Sequence, residues 1–117
     1  MARLKTLKTH HWEWEGKQYW DTYGVRQLLH IKTKDTINRH RKCLKLDEIH
    51  RFDEDQVWLL YLLNLWISLG IGCGKNPRNY SRDRFTKLQR TGMLERKLQA
   101  LIDLEAEKNR FRELINA

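Results

Sequence analysis

The residues with most to offer chemically lie between Lys32 and Lys45. Lys32, Thr33, Lys34, Asp35, Thr36, Asn38, Arg39, Arg41, Lys42 and Lys45 crowd charge, hydroxyl and amide groups into one short run. Lysine and arginine neutralise phosphates and release their counterions, which gives affinity for nucleic acid whatever its sequence. The forked donors of arginine match the guanine edge, and an asparagine amide matches the adenine edge. On a helix, Asn38 and Arg39 sit one turn from the start, where side chains reach deepest into a major groove. Arg41 and Lys42 are expected on the flanking phosphates. A basic face without such a purpose is merely solvated, so the surrounding elements must decide.

Catalysis is not indicated. It asks for a nucleophile beside its base, a matched acid and base, or a metal cluster. His10, His11, His30, His40 and His50 are scattered among basic residues, and the consecutive Asp53, Glu54 and Asp55 point in different directions. Cys43 and Cys73 stand thirty residues apart without a second metal-ligand pair, so two reduced thiols are expected rather than zinc or a disulfide. Gly70-Ile71-Gly72-Cys73-Gly74-Lys75 invites a phosphate-loop reading. The spacing fails: Leu69 falls where the first glycine belongs, and Asn76 where Ser or Thr should hold magnesium. The expectation is no catalytic residue, no metal and no cofactor.

The elements that position the basic run are organised around Val57–Leu69, where eleven of thirteen residues are apolar. Asp53 and Gln56 have capping-box spacing, and three acids face the positive end of the helix dipole. A helix from Glu54 to Leu69 follows, apolar nearly all round and therefore buried on several sides. It falls short of the roughly 20 apolar residues a membrane span requires. No apolar run follows the basic start at Met1–Lys5, so no signal peptide is expected, and the chain reads as cytoplasmic.

Asp21 is an N-cap for a helix from Thr22 to His30, with Val25, Leu28 and Leu29 on one face. Thr33 caps a second helix from Lys34 to Leu44, whose inward residues are Ile37, Leu44 and Cys43. Two short helices across a tight turn, the second densely basic, follow the helix-turn-helix plan. Upstream, His11-Trp12-Glu13-Trp14-Glu15, Gly16-Lys17 and Gln18-Tyr19-Trp20 spell a hairpin. Its tryptophans are expected to pack on the core helix rather than stack on bases. Residues 1–15 are read as a basic and aromatic arm. Leu46 to Phe52 reads as one strand or a stunted wing with His50 and Arg51 outward.

Net charge is +8, which favours an anionic partner. Residues 1–52 carry twelve Lys/Arg against six acids, net +6, and residues 70–92 carry six against one, net +5. Residues 93–117 balance at five each. Gly70 to Tyr80 reads as a loop with Lys75 and Arg78, and Ser81 as the cap of a helix from Arg82 to Thr91. Met93 to Ile115 permits one helix roughly 35 Å long, striped by Leu94, Leu98, Leu101, Leu104, Phe111, Leu114 and Ile115. A stripe that long is expected to meet a second copy of itself.

The order Gly16-Lys17-x-Tyr19, Val25-x-x-Leu28-Leu29-His30-Ile31, Thr36-Ile37, Leu46 and Phe52-Asp53-Glu54-Asp55-Gln56-Val57 resembles the winged-helix DNA-binding domain of the MerR superfamily, excisionase-like relatives included. The resemblance covers about residues 16–70. His30 stands where that family has glycine, and the following turn is one residue longer. The resemblance implies a second arm on the DNA backbone at Arg78, Arg82 and Arg84, and dimerisation through a C-terminal helix.

The expectation as a whole is a mainly α, winged helix-turn-helix chain with a DNA-binding domain at 16–92 and a dimerisation helix at 93–117. It would bind double-stranded DNA as a homodimer on an inverted repeat, in a prokaryotic cytosol. A repressor without a small-molecule effector is expected. An excisionase-like DNA-bending factor and a protein–protein adaptor are the rivals.

Overall fold

The computed structural model describes residues 4–69 and 77–117, with only the backbone given for Lys8 and residues 77–81. It is mainly helical, with a small four-stranded antiparallel sheet. Two compact units divide between Leu62 and Leu63, within the third helix.

In the first unit, β1 (Leu4–Lys8), β2 (His11–Trp14), β3 (Lys17–Trp20) and β4 (Phe52–Asp53) lie side by side in chain order. Trp14 pairs with Lys17 across a two-residue turn, Glu15-Gly16, in which both residues have positive φ (50° and 80°). That is the turn whose twist suits a hairpin, and glycine supplies half of it without strain. The stretch expected as an arm is instead an edge strand from Leu4, with Leu4 opposite Trp14 and Thr6 opposite Trp12. Its register slips between Thr6 and Lys8. β4 is also shorter and later than the expected strand, because residues 46–51 turn rather than extend.

Side chains alternate across a sheet. On the inner face Trp20 and Phe52 are buried, and His11 stacks on Trp20 with centroids 4.4 Å apart. Trp12, Trp14 and Tyr19 take the other face. So only one of the three N-terminal tryptophans enters the core, which corrects the expectation for the other two.

α1 (Thr22–Leu29) starts at Asp21, whose Oδ1 accepts from Gly24 N at 2.8 Å, and it packs on β3 and α2. α2 (Lys34–Cys43) starts at Thr33, whose hydroxyl accepts from Thr36 N at 3.1 Å. Both helices close alike. His30 N donates to Gln27 O and Ile31 N to Arg26 O; Lys45 N donates to Lys42 O and Leu46 N to Arg41 O. These are paired Schellman bonds, and they require His30 (φ +56°) and Lys45 (φ +59°) to be left-handed. α3 (Glu54–Ser68) opens with the expected capping box: Asp53 N donates to Gln56 Oε1 and Gln56 N to Asp53 Oδ1, both at 2.9 Å.

The second unit holds the end of α3, then α4 (Pro77–Arg90), α5 (Leu94–Leu101) and α6 (Leu104–Asn116). α4 begins at Pro77, not at Arg82: proline needs no amide partner in a first turn, and its φ is already helical. Trp66 of α3 meets Phe85 of α4 edge-on at 6.1 Å, and both are fully buried. The single long C-terminal helix is not found. Ile102 is extended (φ −141°, ψ 163°), and Asp103 caps a new helix by accepting from Ala106 N at 3.1 Å. Gly70 to Asn76, including Cys73 and the expected basic loop at Lys75, lie outside the described residues.

Candidate nucleic-acid interface

α2 has two faces, each set by helical periodicity. Ile37, His40, Arg41 and Leu44 recur at helical spacing and are all buried. Opposite them Lys34, Asp35, Asn38, Arg39 and Lys42 are exposed, joined by Lys32, Thr33 and Lys45 at the two ends. Thr36 is half-buried. Eight of the ten residues singled out in this stretch therefore share one solvent-facing surface. Arg39 Nε lies 3.1 Å from Asp35 Oδ2, both side chains well exposed. Such a pair contributes little and can open to another anion.

Arg41 does not belong to that surface. Its side chain runs under the helix: Nη1 donates to Asn38 Oδ1 at 3.1 Å, and Nη2 donates to Asp47 O at 3.0 Å and Ile49 O at 2.7 Å. The guanidinium also lies 5.6 Å from the centre of the Phe52 ring. The five donors of arginine suit several acceptors at once, and here they fasten the turn after α2 to its underside. The expectation of a phosphate contact at Arg41 is corrected to a strut. A consequence reaches the surface, since Asn38 is held with its amide oxygen toward Arg41.

α1 braces the start of α2 through Arg26, whose Nη2 donates to Lys32 O at 3.0 Å. Downstream, His50 and Arg51 are exposed, as expected of a stunted wing's outward residues. The Arg51 guanidinium lies 4.9 Å from the centre of the Tyr19 ring. No signal in the sequence links these two, because nothing local joins residue 19 to residue 51; β3 and β4 do so by pairing.

The remaining candidates fall in the second unit. Arg84 is exposed, whereas Arg82 is buried at 4% exposure, which corrects its expected place on a DNA backbone. The Arg78 side chain lies outside the described residues. Of the stripe assigned to a dimer interface, Leu94, Leu98, Leu104, Phe111 and Ile115 are buried within this single chain. Leu114 is half-buried, and Leu101 is 44% exposed. Breaking the helix at Ile102 lets both halves turn most of their apolar sides inward, so five of the seven residues meant for a second copy are already covered.

Among the described residues no group of three or more His, Cys, Asp or Glu side chains could hold a metal ion, and no helix is long and apolar enough to cross a membrane. Comparison with protein-family models, with curated proteins and with solved structures returned no match.

Proposed function

We propose that this chain binds double-stranded DNA through α2, with α1, the turn at His30–Thr33 and α2 acting as a helix-turn-helix. The observation that carries the reading is the segregation on α2. Its apolar and strut residues face inward, while Lys34, Asn38, Arg39 and Lys42 share the exposed side. A helix of this width with a cationic, amide-bearing face fits the major groove. Further support comes from the backbone. His30 and Lys45 are left-handed at the two helix ends where the resembled MerR-type domain has glycine, and β4 with the preceding turn stands where that domain has its wing.

The role is regulation of transcription, as a repressor, from a site that α2 reads. Burial of the C-terminal stripe within one chain argues against a twofold assembly through those residues. It favours the second reading, an excisionase-like factor whose copies line up on direct repeats and bend the duplex.

Selection from a random duplex library tests this. The wild-type chain should enrich a defined sequence. Asn38→Ala with Arg39→Ala should lose that enrichment while keeping binding to random duplex. Lys34→Ala with Lys42→Ala should weaken binding to all duplexes and flatten its salt dependence, by roughly one unit of slope for each phosphate no longer neutralised. A wild-type chain that binds no duplex at low salt would end the proposal.

A further inference from the structure

We infer that the open face of the sheet is a stacking site for single-stranded nucleic acid, distinct from α2. The inference stands apart from the duplex-binding reading and shares with it only Arg51, an outward residue of the stunted wing.

Three rings lie on this face at registered positions. Trp12 pairs with Tyr19 across β2 and β3, their rings 26° from parallel with centroids 6.5 Å apart. Asp53 stands opposite Tyr19 on β4, and Arg51, two residues earlier, lies over the Tyr19 ring. In the next row Trp14, 38% exposed, has Leu4, 62% exposed, on one side and Lys17 on the other. A four-stranded antiparallel sheet usually hides its large apolar side chains on the packed face. Here the packed face already has Trp20 and Phe52, and a tryptophan is left in water on the other.

Charge decides the occupant. A peptide and a nucleic-acid strand could both lie on exposed rings, but a cation flanks each row, Arg51 over Tyr19 in one and Lys17 beside Trp14 in the other. Residues 1–20, which supply three of the four strands, carry four Lys/Arg against two acids, net +2, a balance that favours a polyanion over a basic peptide. Nucleobases stack on aromatic rings and on guanidinium planes, and flanking cations take the phosphates. Acids oppose these cations: Asp53 ends the Trp12–Tyr19 row, and with Glu54 and Asp55 it lines an open cleft beside Gly16, Lys17 and Gln18. The Asp53 carboxylate is occupied in the first turn of α3, whose positive end offsets it.

The test is a titration with a ten-nucleotide oligothymidylate, read by tryptophan fluorescence. Binding should quench the emission, and Trp14→Ala should weaken it about tenfold or more. Trp14→Phe should restore most of the affinity, whereas Trp14→Leu, apolar but without a stacking ring, should not. Arg51→Ala should weaken binding and reduce its salt dependence. Lys34→Ala with Lys42→Ala should leave it within about twofold, which separates this face from α2. Equal affinity for the Phe and Leu variants, or loss of binding with the α2 variant alone, would overturn the inference. So would capture of a proline-rich peptide by a chain that ignores the oligonucleotide.

Discussion

Replacing Arg41 by alanine discriminates sharply between a strut and a phosphate contact. The change removes three hydrogen bonds, two of them to main-chain oxygens of the turn after α2. Hydrogen bonds from a charged donor contribute about 1.5–3 kcal/mol each, less what burial of the charge costs. That cost is real here, because Arg41 Nε finds no acceptor among the described residues. The net destabilisation is then about 3 kcal/mol, toward the upper end of ordinary substitutions. For a chain of this size that lowers the melting midpoint by roughly 10–15 °C. Arg41→Lys keeps the charge but not the fork and should recover only a minor part. The assay is thermal unfolding followed by circular dichroism, run beside duplex binding at a temperature where both variants are folded. An exposed phosphate contact would behave oppositely, with stability within about 0.5 kcal/mol of wild type and a smaller salt slope. A midpoint within about 2 °C of wild type would refute the strut.

Two further substitutions probe the helix ends. His30→Gly should raise stability by about 0.5–1 kcal/mol, because φ +56° costs a side chain more than glycine loses in chain entropy; chemical denaturation measures it, and a destabilised variant would contradict the Schellman closure. Asp103→Ala should cost about 1 kcal/mol through removal of an N-cap. Were residues 93–115 one helix, alanine would instead stabilise it through higher propensity, so the sign of the change decides.

Much of the first unit is legible in the sequence. The capping box, the apolar run behind it, both short helices and the hairpin about Gly16 all rest on local signals: side-chain caps, a glycine turn and hydrophobic spacing. Arg41 misleads although its position is visible. Ile37, His40, Arg41 and Leu44 fall on one stripe, and charge alone argues for the surface. A long side chain can carry its charge under a helix when carbonyls wait there. The break before α6 is equally visible in Asp103, a capping residue followed by Glu105 and Glu107 in the first turn. A continuous apolar stripe conceals it, because the stripe keeps its spacing through the bend. β1 has no such signal: lysines alternate poorly with leucines, the register slips, and its partner strand is what makes it extended.

Gly24 sets a quieter constraint. A methyl group there would sit 2.3 Å from the carbonyl oxygen of His10, and this oxygen also accepts from Asp21 N. The main chain of the β1–β2 turn thus rests directly on the third residue of α1, with hydrogen as the spacer. Alanine, the best helix former, is shut out of a helix by a neighbour from another element. Sequence drift along α1 is free at Gln27, which faces solvent, but any heavier atom at residue 24 would tilt α1 off the sheet and carry α2 with it.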